Sequence, residues 1–151
     1  MSVRQTSAAP RNPPAPVPRA TRLLPEQHLR TQSDFQTVRQ AGRRHQCDAF
    51  TAWWLACPKP ASIRPDRPLT SRPQANASLR LGVVASRAAV GNAVQRNRAK
   101  RRLRALFRLH QQKLPPDGDL LLVARRLLNG LPWAVLETRF ADLCRRLGNA
   151  R

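Results

Sequence analysis

The chain has 151 residues, 41% of them hydrophobic, which suits one domain with a real core. It carries 28 Arg and Lys against 8 Asp and Glu, a net charge of +20 that speaks to a polyanionic partner, nucleic acid or an anionic membrane, and not to fold. Several classes are excluded at once. No apolar run approaches the ~20 residues of a membrane span, and the N-terminus has no apolar signal stretch. Cys47, Cys57 and Cys144 show neither CxxC nor paired-His spacing, so neither a disulfide framework nor a zinc site is expected. Reduced cysteines packed as small apolar groups fit a cytoplasmic protein.

Residues 1–22 are rich in Pro, Ala and Arg and cannot bury enough apolar surface to offset ordering entropy, so a disordered tail is expected there. The domain proper is expected from 23 to 151. Ser33-Asp34-Phe35-Gln36 fits a capping box, predicting a short helix from Asp34 to Gln40 that ends at Gly42. Gln46 to Cys57 reads as one strand stopped by Pro58. Alternation puts Phe50, Ala52, Trp54 and Ala56 on one side, with Cys47, Ala49, Thr51, Trp53 and Leu55 on the other. Both sides are largely apolar: one covers the core, and the Trp53 side needs a second cover or a ligand.

Residues 58–77 hold five prolines and read as a loop insertion. Leu79 to Ser86 predicts a second strand, pairing with the first as a hairpin across that loop. A helix follows from Ala93 to about Gln112, with Asn92 as its N-cap. Pro115-Pro116-Asp117-Gly118 is a turn, Asp119 to Arg125 a third strand, and Gly130-Leu131-Pro132 opens a last helix. In that helix Trp133, Leu136, Phe140, Leu143 and Leu147 recur at core spacing. The order α-β-β-α-β-α predicts an α+β layered sandwich, and its β-α-β unit allows two parallel strands.

The Ala93 helix is the most informative stretch. Between Val94 and Arg108 lie seven basic residues and no acidic one, inside a block from Arg67 to Pro116 with no Asp or Glu at all. At ~100° per residue, Ala99, Leu103, Leu106, Phe107 and His110 share a core side. Asn97, Lys100, Arg101, Arg104 and Arg108 form a stripe beside it. A solvated helix gains from alternating signs, whereas a single sign repels itself unless a polyanion is near. No phosphate-cradling Gly loop, GxSxG or HExxH is present, and His28, His45 and His110 are scattered. The chain's own residues therefore predict no acid–base or metal catalysis, while cations with aromatics suit RNA.

Arg80-Leu-Gly-Val-Val-Ala-Ser86, then Gly91-Asn-Ala-Val-x-Arg96-Asn97-x-x-Lys100-Arg101-x-x-Arg104-x-x-Phe107-Arg108, resembles the signature of the bacterial ribonuclease P protein family. Leu29-Arg-x-x-x-Asp-Phe35-x-x-Val38 with Gly42-Arg43 agrees with it. The resemblance implies a fold like the second domain of ribosomal protein S5, with a left-handed β-α-β crossover. It also implies one protein on a catalytic RNA that, with Mg²⁺ bound mainly by that RNA, removes the 5′ leader of precursor tRNA. By the motif, Arg96, Asn97, Lys100, Arg101 and Arg104 are expected on the catalytic RNA. Arg98 lies inside the motif but points off the stripe, and Arg108 extends the stripe. Phe35 and Trp53 match aromatics of the family's leader cleft, where Arg39 replaces a further aromatic, removing a stacking surface and adding a phosphate contact. Two competitors use the same charge differently: a ribosomal-type RNA-binding protein, and a membrane-surface protein. The second needs a broad apolar face opposite its cations, which this helix lacks.

Overall fold

A computed structural model describes residues 23–56 and 79–149. The tail expected at 1–22 and the insertion expected at 58–77 lie outside the described residues. Within them the chain runs α1 (Gln32–Ala41), β1 (Arg43–Gln46), β2 (Phe50–Ala56), β3 (Leu79–Val84), the short turn of helix α2 (Arg87–Val90), α3 (Ala93–His110), β4 (Gly118–Ala124) and α4 (Trp133–Gly148). It is the expected α+β layering with one strand more than the predicted order.

That extra strand corrects the stretch expected to be a single strand from Gln46 to Cys57. A tight turn divides it. The Cys47 N–H donates to the Phe50 carbonyl at 3.0 Å, and the Arg125 side chain bonds the Cys47 carbonyl at 2.9 Å. β1 is Arg-Arg-His-Gln, with no apolar alternation to announce it, because it is an edge strand whose outer side meets solvent. The turn also breaks the expected alternation: Ala49 packs in the main core beside Phe50, not with Trp53. From Phe50 onward the alternation holds.

The expected hairpin between the second and third strands does not form. Sheet order is β1-β2-β4-β3, with β4 between them. β4 runs antiparallel to β2 and parallel to β3. Its run Leu120-Leu121-Leu122-Val123-Ala124 is apolar on both faces, as a central strand requires, whereas β3 is tied to β4 by the helical crossover.

The two faces carry two cores. Phe50, Ala52, Trp54, Leu81, Leu120 and Leu122 meet Leu103, Leu106 and Phe107 of α3 and Leu136, Phe140 and Leu147 of α4. On the other face Leu121 packs with Leu29 and Val38, flanked by Phe35, Trp53 and Leu55. α1 is the cover there. Its N-cap is Thr31, not Ser33: the Thr31 hydroxyl accepts from the Asp34 N–H at 3.1 Å, starting the helix two residues earlier than expected. It stops at Gly42, whose φ of −80° is not left-handed. Glycine is needed for space, since a Cβ would stand 2.3 Å from the Val38 carbonyl oxygen.

The thiol of Cys144 is pushed up to about 11, chiefly by burial, which makes it an inert packing group. His110 packs its ring 5.6 Å from Phe140 between α3 and α4, and neither ring nitrogen has a hydrogen-bond partner among the described residues. Burial, then Lys113, holds its pKa below the usual histidine value, with Glu137 opposing. His28 and His45 are likewise lowered, first by burial and then by Arg104 and Arg146 respectively.

Two predictions follow from this packing. In the unfolded chain each histidine binds its proton near pH 6.5, above its folded value, so the unfolded state holds more protons as pH falls. Stability should therefore be full above about pH 6.5 and decline below it. Thermal melts from neutral to mildly acidic pH check this, and a His110→Leu variant should show a shallower decline. A melting temperature that rises on acidification contradicts it. Separately, a Cβ on Gly82 would lie 2.7 Å from Phe35 Cε1 and 2.9 Å from Leu29 Cδ1. Gly82→Ala should lower unfolding free energy by about 1–3 kcal/mol in urea titrations, as overpacking does.

Candidate nucleic-acid interface

α3 is positioned by its buried side. Ala99, Leu103, Leu106 and Phe107 are fully buried, as helical spacing predicts. Its N-terminus is closed by a capping box: Asn92 Oδ1 accepts from the Gln95 N–H at 3.0 Å, and Gln95 Oε1 from the Asn92 N–H at 3.2 Å. The opposite flank is held by Arg102, which donates to the carbonyls of Leu128 at 2.7 Å and Leu131 at 2.6 Å. Asn129 Nδ2 adds a bond to the Gln95 carbonyl at 2.9 Å. Seven helix cations thus divide by work: Arg102 clamps the β4–α4 loop, and its pKa is lowered by burial and then by neighbouring Arg98.

Five of the remaining six cations, with Asn97, form two adjacent rows. Arg96, Lys100 and Arg104 recur every four residues and are half-buried along the border of the apolar side. Asn97, Arg101 and Arg108 stand outside them, exposed. The ~3.6-residue turn explains why Arg96, off the outer stripe, joins Lys100 and Arg104. Arg98 is exposed on the far flank beside Arg102. Among the described residues the ion pairs are Arg80 with Asp34 and Asp119, Arg139 with Asp48, and Arg145 with Asp142. α3 contributes to none. A rigid row of cations without carboxylate partners is suited to a polyanion.

The second surface lies across the sheet, under and beside α1. Phe35 is half-buried over Gly82 of β3. One helical turn later Arg39 is exposed, its guanidinium 5.6 Å from the Trp53 ring. Arg44 of β1, directly opposite Trp53 in register, comes within 5.8 Å of the same ring. These are cation–π distances. So the floor holds Trp53 with a guanidinium from α1 and another from β1. At the β3 end, Arg80 donates to both Asp119 oxygens, at 2.8 and 2.7 Å, and lies 3.6 Å from Asp34 of α1. The hydrogen bonds to Asp119 raise the Arg80 pKa above its usual value.

The two surfaces approach each other at the β3 edge. His28 forms a bridge to Leu81, extending the sheet past β3, and Arg104 is near enough to lower the His28 pKa. Among the described residues no three His, Cys, Asp or Glu converge as a metal site. The carboxylates of Asp34 and Asp119 are engaged by Arg80.

Comparison with known proteins decides the family. The chain matches the family described as Ribonuclease P over residues 23–148, most of its length. The chain belongs to the ribonuclease P protein family. It is 33% identical over 130 residues to the ribonuclease P protein component of Desulfovibrio desulfuricans, covering 83% of this chain and 86% of the relative. It is 39% identical over 97 residues to that of Chloroflexus aurantiacus, covering 64% and 58%. The solved RNase P protein of Staphylococcus aureus superposes with a TM-score of 0.60 at 20% identity over 79% of this chain and 93% of that one. That of Thermotoga maritima gives 0.59 at 22% identity over 79% and 96%. The two structures share the fold, and family membership implies an RNA partner. No helix among the described residues is long and apolar enough to cross a membrane.

Sequence reasoning missed the roles of four of these residues. Arg44 is invisible until β1 is recognised as a strand paired with β2. The Arg80–Asp119 pair needs the parallel register of β3 and β4. Arg102, counted among the basic residues, is withdrawn only by the loop that folds back on it. Arg102→Ala should cost about 1.5–3 kcal/mol of unfolding free energy, the range for hydrogen bonds from a charged group. Arg101→Ala should stay within about 0.5 kcal/mol of the parent, as exposed substitutions do. Paired urea titrations check the contrast, and equal losses would refute the division of labour.

Proposed function

We propose that this chain is the protein subunit of ribonuclease P, an accessory to an RNA that cleaves the 5′ leader from precursor tRNA. The observation that carries the proposal is the cation row of α3, without acidic partners among the described residues and held rigid by a fully buried apolar side. Arg96, Asn97, Lys100, Arg101 and Arg104 neutralise phosphates of the catalytic RNA, with Arg108 extending the row and Arg98 reaching from the far flank. Preorganisation matters because a cation already fixed on a helix loses little further freedom on binding.

The cleft of Phe35, Arg39 and Trp53 receives the single-stranded leader. Unstacked bases meet aromatic faces and the backbone meets guanidinium groups. Arg39 on Trp53 makes this cleft more electrostatic than an all-aromatic one, so leader binding depends on salt more than on base identity. Cleavage belongs to the RNA subunit and the Mg²⁺ it holds; the protein's work is to hold two RNAs in register, one protein per catalytic RNA. The cytoplasm is where that work belongs.

The test is reconstitution. The full chain, added to a bacterial ribonuclease P RNA and a leader-bearing precursor tRNA at low Mg²⁺, should raise the rate of cleavage at the mature 5′ end. Arg101→Ala and Arg104→Ala should each weaken assembly with the catalytic RNA and flatten the log–log salt dependence by about 0.9. No gain in cleavage from the parent chain refutes the function, and unaltered assembly by both variants refutes the interface.

A further inference from the structure

The cleft has a direction that its residues reveal. One end is at β3, where Phe35 sits over Gly82 and where Arg104 of α3 lies close to the His28 segment. The other end is at β1, where Trp53 meets Arg44. β1 is the free edge of the sheet, and its first two residues are Arg43 and Arg44, both exposed. In register Arg44 opposes Trp53 and Arg43 opposes Trp54, so the two arginines project from opposite faces of the same edge. On Arg43's face Arg146, exposed near the end of α4, lines one pocket with His45, which is two residues along β1 from Arg43 and paired with Ala52 on that face; after burial, both guanidinium charges lower the His45 pKa. Among the described residues neither Arg43 nor Arg146 takes part in an ion pair, whereas neighbouring Arg139 and Arg145 are held by Asp48 and Asp142.

We infer that the β1 edge is a second single-stranded RNA contact, in which Arg44, Arg43 and Arg146 carry the backbone of leader nucleotides that have passed beyond the cleft. This rests on the proposed function. With α3 docked on the catalytic RNA as proposed, leader nucleotides next to the cleavage site enter at the β3 end, against which α3 packs. Those farther upstream must leave over Trp53 and cross β1. An edge strand of this kind is normally guarded by charge against pairing with another chain. Guarding alone does not account for an unpaired Arg146 on α4 converging on the same edge. The contact is made chiefly by guanidinium groups on backbone phosphates, so it senses leader length more than leader sequence.

The experiment uses the reconstituted holoenzyme with the full chain, and two precursor tRNAs with the same body. One leader is just long enough to fill the cleft; the other is extended at its 5′ end by several nucleotides. Arg43→Ala/Arg146→Ala should lower affinity for the long-leader substrate several-fold more than for the short one. It should flatten the long-leader salt dependence by about 1.4, two single-strand phosphate contacts. Arg43→Lys/Arg146→Lys should recover most of the loss, and circular dichroism should match the parent for both. Equal losses on the two leaders, or weakened binding of the catalytic RNA alone, would place the edge on the catalytic RNA and overturn the inference. No loss on either leader overturns it too. Failure of the parent chain to stimulate cleavage of the short-leader substrate would instead overturn the proposed function, and this inference with it.

Discussion

The domain depends on a strand that has no exposed side. β4 is hydrogen-bonded along both edges and apolar on both faces, so each face must be covered. α3 and α4 cover one face completely. α1 is only ten residues long and covers the other partly, leaving Trp53 half-exposed beside it. The partial cover is what makes a cleft: an apolar floor too wide for one short helix, rimmed by arginines. Burying β4 and leaving an open cleft are thus two consequences of one imbalance in helix length.

The same strand carries one polar side chain into the interior, Asp119, 6% exposed. A lone carboxylate there would be costly, and Arg80 from the adjacent strand meets it with both arms of its guanidinium. Removing one partner of such a buried pair leaves an uncompensated charge, a loss of about 3–5 kcal/mol. Arg80 also reaches Asp34 in the first turn of α1. One side chain therefore fastens β3, β4 and the cleft's helix at the end nearest α3. That coupling keeps the two cationic surfaces at a fixed separation.

A net charge of +20 does not mean that every cation awaits RNA. Arg80 and Arg102 are structural, bonded to a carboxylate and to loop carbonyls, and Arg139 and Arg145 face acids. Among the described residues no cation of α3 is paired with an acid, and neither are Arg39, Arg43, Arg44 and Arg146 around the cleft and β1. The distribution of the few acidic residues thus marks the surfaces as much as the arginines do: where a carboxylate is placed, the cation is spent on folding.

Much of this was legible from the sequence, because it is local. The 3.6-residue period separated the buried and basic sides of α3, and the apolar run Leu120–Ala124 marked a strand of the interior. The alternation after Phe50 put Trp53 on the face away from the main core. Motif spacing pointed to the family. What the sequence could not decide is non-local. β1 is four polar residues, a strand only because β2 pairs with it. β2 and β3 look like a hairpin until β4, which satisfies both edges at once, separates them. Thr31 wins the helix cap over Ser33 by backbone geometry. Arg102 is tied to the β4–α4 loop, Arg96 joins the Lys100–Arg104 row, and Arg44 comes to Trp53, each through contacts between residues distant in the chain or through the turn of a packed helix. Periodicity fixes which side of an element a residue occupies; only pairing and packing fix what stands opposite it.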